Sequence, residues 1–171
     1  DDPVGLGWTV ILRHAPRRRI ERRFGQRVKV AEPIRANPFA LVDRLPALDE
    51  ASHFHFWVDP RAPRPLSTGD NTSESLVRSA ANGLSTLALP TRLANLEGID
   101  VLHAPFNILG RGIPCPTVVT IHDLMWLEAP ADAEGLSLAT PFKAAYYADG
   151  IRRALRRADC LVAISKATAD A

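Results

Sequence analysis

Short apolar runs in the second half of the chain constrain the fold most strongly. Thr117–Ile121 (TVVTI) is β-branched throughout, residues 160–164 (CLVAI) are wholly apolar, and residues 100–105 (DVLHAP) contain a third short run. Runs that are apolar on both faces are typical of parallel strands covered by helices on either side. Because stretches of helical period separate these strands, the sequence predicts an α/β fold with a doubly wound, mainly parallel sheet.

Two stretches between the predicted strands show the period of a helix. Thr140 and Pro141 supply an N-cap and a first-turn proline, and apolar residues then recur along one side of the segment. The opposite side of this helix carries four arginines, Arg152, Arg153, Arg156 and Arg157. Gly150 weakens the middle of the helix, where a break into two segments is an alternative. A second helical stretch is predicted over residues 73–96, with Pro90 starting a second segment within it.

The first half of the chain predicts three further strands and one amphipathic helix. The strands are expected at residues 8–12, 27–31 and 54–58, and the helix at residues 40–50. The first two strands are separated by a basic stretch that holds Arg17, Arg18, Arg19, Arg22 and Arg23. Residues 60–72 are rich in proline, which predicts a long exposed loop.

Length and composition exclude several classes of function. The chain has 171 residues, 46 % hydrophobic and 23 % charged, a balance that predicts one globular domain over residues 1–171. A formal net charge of +2 is too small for a dedicated nucleic-acid-binding protein, so no nucleic-acid partner is expected. The two cysteines, Cys115 and Cys160, exclude a multi-disulfide scaffold and favour a reducing compartment. No apolar run approaches the ~18–20 residues of a membrane-spanning helix, and a cytoplasmic location is expected.

Polar side chains stand at the carboxyl ends of the three strands in the second half. They are His103, His122, Asp123 and Ser165. In open parallel sheets, ligands bind in the crevice outside these ends, so all four residues are candidates for a crevice site. His122 is the candidate catalytic residue, as a hydrogen-bond donor or general acid/base. The alternative for His122 is an imidazole bonded to a neighbouring carbonyl.

The other three residues also have structural alternatives. Asp123 fits a cap of the following turn better than a catalytic role. Ser165 fits the N-cap of a helix that opens at Lys166, and the N-terminus of that helix is itself a candidate anion site. His103 is equally compatible with core packing and with the crevice.

Other motifs are incomplete. Gly5 and Gly7 form only a fragment of a phosphate-binding glycine loop, which disfavours a dinucleotide-binding fold. His53 and His55 alternate on a predicted strand, but without H-E-x-x-H or paired cysteines a zinc site is not expected. A serine-hydrolase triad would need a G-x-S-x-G elbow, whereas the sequence around Ser165 reads AISKA.

Three motifs together resemble the family 4 glycosyltransferases. The motifs are residues 100–105 (DVLHAP), 116–124 (PTVVTIHDL) and 152–168 (RRALRRADCLVAISKAT). The resemblance covers about residues 84–171 in continuous order. In the first half, residues 3–7 (PVGLG) look like the family's glycine-rich loop, and residues 40–59 look like the helix and second strand that follow it.

The resemblance implies a GT-B fold, in which the active site lies in the cleft between two Rossmann-like domains. It also implies that a sugar passes, with retention of configuration, from a nucleotide-activated donor to an acceptor hydroxyl on a small molecule or glycan. This chain would be the amino-terminal, acceptor-side domain, in incomplete form. His122 matches the family's histidine at the reaction centre, and Gly5 and Gly7 match the loop near the donor phosphates. Beyond the nucleotide-sugar co-substrate no cofactor or metal is expected, because backbone N–H groups and an imidazole can stabilise a phosphate leaving group.

The chain also departs from the family pattern. Residues 8–39 either form an insertion or join pieces that are not consecutive, since the family would place such a segment later. The sequence lacks the Glu-x7-Glu element of the donor-binding domain, so that domain is expected outside this chain, and the isolated domain is expected to be inactive. Two alternatives are a non-catalytic Rossmann-like ligand-binding module and half of a nucleotide-dependent epimerase or dehydrogenase.

The two arginine-rich segments, residues 17–23 and 152–157, raise the hypothesis of peripheral contact with an anionic membrane surface. The alternative is that each is an ordinary solvated face, which is the commoner role of a run of charges.

Overall fold

The computed structural model describes residues 9–13, 28–30, 39–58, 60, 65–77, 95–129 and 140–171. These residues form a mixed α/β fold in which helices accompany one sheet. The described strands are β1 Thr9–Arg13, β2 Val28–Val30, β3 His53–Val58, β4 Thr72–Leu76, β5 Val101–Ala104, β6 Thr117–Ile121 and β7 Cys160–Ala163. The described helices are α1 Phe39–Leu48, α2 Met125–Glu128, α3 Thr140–Arg157 and α4 Lys166–Asp170.

The strand order across the sheet is β2-β7-β6-β5-β1-β3-β4. Parallel pairing joins β2 to β7, β7 to β6 and β6 to β5, and it also joins β3 to β4. Among the described strands, β1 alone runs the other way, because it pairs antiparallel with β3 on one side and with β5 on the other. The parallel strands expected from the apolar runs are therefore confirmed, and the antiparallel strand between them is a feature that the sequence pattern does not predict.

Helix α3 covers one face of the sheet beside β6 and β7. Its Ala154 and Ala158 pack with Val119, Ile121 and Leu161 in one buried cluster. The two alanines are four residues apart on the helix, and the β6 residues are two apart on the strand, so each element turns one face to the other. The helix and the strands thus bury each other's apolar faces.

Both faces of the sheet are buried at β3. Phe56 and Val58 point to one face and Trp57 to the other, because successive side chains alternate along a strand. All three side chains are almost entirely buried. Trp57 packs with Leu102 of β5, and this contact extends the core across β1.

The helix predicted over residues 73–96 is wrong at its beginning. Thr72–Leu76 is strand β4, which pairs with β3 in register from Phe54↔Thr72 to Val58↔Leu76. The segment TSES offers no apolar side chain to a helix face, and pairing with a buried neighbouring strand overrides its weak local preference. Residues 78–94 of the predicted helix lie outside the described residues.

Helix α3 continues without a break through Gly150, so the alternative of two segments is wrong. Gly150 is buried, and its carbonyl accepts a hydrogen bond from the backbone N–H of Leu109 at 3.3 Å. The loop over residues 105–116 therefore supports the helix at its weakest residue. In the part of the chain that the structure describes, no helix has both the length and the apolar character needed to cross a bilayer.

Candidate functional site

The carboxyl ends of β5, β6 and β7 lie side by side at one edge of the sheet, because these strands pair in parallel. His103 lies near the end of β5, His122 directly follows β6, and Ser165 follows β7 by two residues. The pairing continues beyond the strands, since the N–H of Ile164 donates to the carbonyl of Ile121 at 3.2 Å. The residues predicted from three separate strands therefore share one edge, which is called the carboxyl edge below.

His122 is exposed and is held by its surroundings at several points. Its backbone N–H donates to Oδ1 of Asn107 at 2.7 Å, and its ring Nε2 donates to the carbonyl of Pro105 at 2.8 Å. The hydroxyl of Thr168 donates to the carbonyl of His122 at 3.2 Å, and the Phe106 ring lies 6.2 Å away between centroids. The loop after β5 and the helix after β7 thus fix both the backbone and the ring of His122.

The bond to Pro105 decides which ring nitrogen of His122 can face a ligand. A carbonyl oxygen only accepts, so Nε2 carries the hydrogen in this bond. No polar atom of the described residues bonds Nδ1. Nδ1 can therefore accept a hydrogen bond when the ring is neutral and donate one when the ring is charged. The imidazole-to-carbonyl alternative for His122 is present, and it leaves one nitrogen available for chemistry.

Asp123 and Ser165 both act as caps. Oδ1 of Asp123 accepts a hydrogen bond from the N–H of Met125 at 3.1 Å, in the turn that leads into α2. Oγ of Ser165 accepts one from the N–H of Thr168 at 3.1 Å and lies 3.0 Å from the Thr168 hydroxyl. The predicted capping roles are confirmed, and both side chains fix the backbone around His122.

His103 is partly buried and faces the neighbouring strand. Its Nε2 lies 2.8 Å from Oγ1 of Thr120, within hydrogen-bond distance. Burial lowers the pKa of His103 from 6.5 to about 4, and the positive charge of His122 adds to this effect. Because the imidazole stays neutral at neutral pH, His103 contributes packing and one hydrogen bond at the carboxyl edge and no positive charge.

Two residues of the carboxyl edge were not predicted from the sequence. Asn107 and Thr168 both bond the backbone of His122, from sequence separations of 15 and 46 residues. Asn107 stands two residues after the proline that ends the β5 region, and this position is its only sequence signal. Whether the side chain of Asn107 reaches His122 depends on the path of an irregular loop, which the sequence pattern does not predict.

Gly5, Gly7 and the basic stretch at residues 17–23 lie outside the described residues. His53 and His55 both contact the hydroxyl of Ser73, at 2.8 Å and 2.7 Å, and so tie β3 to β4. Within the described ranges, no group of three or more histidine, cysteine or acidic side chains is placed to hold a metal ion.

No protein-family model, no curated protein and no solved structure matches this chain significantly. A functional assignment therefore rests on the residues, on the resemblance that their motifs carry and on the geometry of the carboxyl edge.

Proposed function

We propose that this chain is the amino-terminal, acceptor-side domain of a GT-B glycosyltransferase, built on a Rossmann-like, doubly wound sheet. The whole enzyme would transfer a sugar, with retention, from a nucleotide-activated donor to an acceptor hydroxyl. The position of His122 is the observation that carries the proposal. His122 is exposed and directly follows β6, and both neighbours of β6, β5 and β7, run parallel to it. The motifs at residues 100–105, 116–124 and 152–168 supply the reaction class through their resemblance to family 4.

In this proposal His122 binds the donor through Nδ1, because Nε2 is engaged with Pro105. A charged ring donates from Nδ1 to an oxygen of the donor, whereas a neutral ring accepts from a sugar hydroxyl. Donors that are already oriented stabilise the charge that develops on a phosphate leaving group at little reorganisation cost. The bonds from Asn107 and Thr168 supply this orientation from the protein side.

The remaining parts of the proposal follow from the resemblance. Gly5 and Gly7 would supply backbone N–H groups near the donor phosphates. The partners are a nucleotide sugar and an acceptor small molecule or glycan. The cytoplasmic location is proposed instead from the two cysteines of the sequence, which favour a reducing compartment. His103, which stays neutral because its pKa is lowered to about 4 by burial and by His122, adds no second positive charge beside the donor.

A non-catalytic ligand-binding module is the rival, and a specific observation favours it. Asp123 and Ser165 cap backbone, and one of the two ring nitrogens of His122 binds a carbonyl. Each of these bonds gives its residue a structural role that does not require catalysis. The two proposals differ in whether the loss of the His122 ring abolishes turnover.

The test is consumption of nucleotide sugars by the full-length natural protein. The donors are GDP-mannose, UDP-glucose and UDP-N-acetylglucosamine, each offered with and without simple glycan acceptors, and the readout is release of the nucleotide. His122→Ala is expected to lower turnover at least about 100-fold, the usual contribution of a positioned acid, base or charge-stabilising donor. His53→Ala is the matched control, because His53 begins β3 at the opposite edge of the sheet and should leave turnover unchanged.

Equal turnover of wild type and His122→Ala would contradict the proposed role of His122. Binding of a donor without its consumption by the full-length protein would instead favour the non-catalytic module.

A further inference from the structure

A groove of about 740 Å³ lies at the edge of the sheet opposite His122. Thr117, the first residue of β6, and Asp159, which immediately precedes β7, form its floor. Residues of the loop between Leu109 and Cys115 form one wall, and residues of α3 between Asp149 and Arg157 form the other. This volume lies within the range of small-molecule sites, about 300–1,000 Å³.

The lining of the groove is strongly basic. It contains five arginines, Arg111, Arg152, Arg153, Arg156 and Arg157. The acidic residues of the lining are Asp149 and Asp159, so five positive charges face two negative ones. Asp159 is directed toward the sheet, because its Oδ2 accepts from the N–H of Thr117 at 2.8 Å and from its hydroxyl at 3.2 Å.

Asp149 holds two of the arginines in place. Arg111 donates to its Oδ2 at 3.0 Å, and Arg153 donates to the same oxygen. Arg153 is largely buried and also donates to the carbonyl of Leu109 at 2.9 Å. Burial raises the pKa of the Asp149 carboxyl, but the bonds and charges of Arg111 and Arg153 outweigh this, so the net pKa is lowered. The loop wall and the helix wall are thus joined through an ionised carboxylate.

The other three arginines, Arg152, Arg156 and Arg157, form no ion pair with a carboxylate among the described residues. Arg152 and Arg156 are four residues apart on α3, a spacing at which like charges destabilise a helix. The helix dipole favours cations in the last turn, which accounts for Arg156 and Arg157. It does not account for Arg152, which lies before the last turn, or for Arg111, which comes from another segment.

We infer that this groove is a binding site for a phosphate-bearing anion. Guanidinium groups bind phosphate oxygens with paired, charge-assisted hydrogen bonds, and Arg152, Arg156 and Arg157 carry donors that no described carboxylate occupies. Arg111 and Arg153 are already oriented by Asp149, so part of the ordering cost is met before the anion arrives. The site lies at the opposite edge from His122 and does not depend on the proposed function.

Pyrophosphate is the first probe, titrated calorimetrically into the purified protein at constant ionic strength set by sodium chloride. Wild type is expected to bind it, and Arg152→Gln/Arg156→Gln is expected to weaken binding at least about tenfold through the loss of charge-assisted bonds. Arg156→Lys keeps the charge but loses the planar fork, so its affinity should fall between the two. Arg44→Gln, an exposed arginine of α1, is the control and should bind like wild type.

The phosphate could belong to a lipid headgroup or to a free ligand, and a second experiment, the second arm of the test, distinguishes the two. Co-sedimentation with phosphatidylcholine vesicles, with and without phosphatidic acid, tests a lipid headgroup, whereas pyrophosphate tests a free ligand. Binding in either arm that weakens in Arg152→Gln/Arg156→Gln but not in Arg44→Gln supports the site and identifies its source. No binding in both arms, or equal binding by the double variant whose fold is verified by circular dichroism, would overturn it. His122→Ala should leave both arms unchanged, which separates this site from the carboxyl edge.

Discussion

The ring of His122 is held by Pro105 through Nε2, and this bond determines what the residue can do at the carboxyl edge. This bond orients the ring, and Nδ1, which has no hydrogen-bond partner among the described residues, could respond to a ligand. Strand-end reasoning predicted His122, Asp123 and Ser165 because their positions follow from the strand boundaries alone. Asn107 could not be predicted in the same way, because its bond to His122 depends on the path of an irregular loop.

His103 gives a residue-scale prediction about acid stability. Its folded pKa of about 4 is lowered from 6.5 by burial and then by the charge of His122, so the unfolded chain binds a proton there first as the pH falls. Above pH 6.5, the pKa of the unfolded chain, His103 is neutral in both states and costs no stability. As the pH falls from 6.5 to about 4, the free energy of unfolding decreases progressively. Between about pH 7 and pH 5 the loss should be about 2 kcal/mol.

Urea denaturation at the two pH values measures this loss. His103→Gln should lose less stability than wild type over the same interval, by about the same 2 kcal/mol. Thr120→Val removes the hydrogen-bond partner but keeps the ring buried, so it should keep the pH dependence of wild type. Identical pH slopes for wild type and His103→Gln would contradict the assignment.

At the scale of elements, the apolar buried strands can be predicted from the sequence, whereas the polar, half-exposed strand β4 cannot. The β6 boundaries agree with the sequence at both ends, because TVVTI is β-branched throughout and is followed by polar residues. The beginning of the helix predicted over residues 73–96 failed because TSES has no strong preference of its own, and pairing with β3 determines its structure. Glycine's low helix propensity predicts a weak point at Gly150, and the sequence does not show the compensating bond from Leu109, 41 residues away.

Strand β6 carries the element-scale prediction. Val119 is fully buried in the cluster between α3 and the sheet, whereas its neighbour Val118 points to the other face and is only partly buried. Val119→Ala should lower the free energy of unfolding by about 2 kcal/mol, through lost burial and a residual cavity. Val118→Ala, the same chemical change one residue away, should cost about half as much. Equal losses in urea denaturation would mean that α3 does not pack against this face.

At the scale of the whole molecule, the sheet explains why residues far apart in sequence share one edge. Six of its seven described strands run in one direction, and β1 inserts between them in the other. The apolar pattern could not reveal this orientation, because a strand buried on both faces has the same pattern whichever way it runs. The candidate site is unaffected, because β5, β6 and β7 are paired with each other in parallel.

Hydrogen exchange measured by NMR tests this arrangement. β6 is paired on both sides, whereas β4 ends the described sheet and pairs only with β3. The amides of β6 should exchange at least about tenfold more slowly than those of β4, because protection reflects the free energy of local opening. Similar rates in the two strands would contradict the strand order.

We propose that ligand chemistry takes place at the carboxyl edge, beside His122. The most direct test of this proposal is the histidine ring proton spectrum of the full-length protein during titration with GDP-mannose and, separately, UDP-glucose, with the His122 signal assigned by its loss in His122→Ala. We expect the His122 resonance to move to saturation with at least one of these donors, while the signals of His53 and His55, on β3, stay in place. A donor that binds without moving the His122 resonance, or that moves His53 and His55 instead, would contradict the proposal.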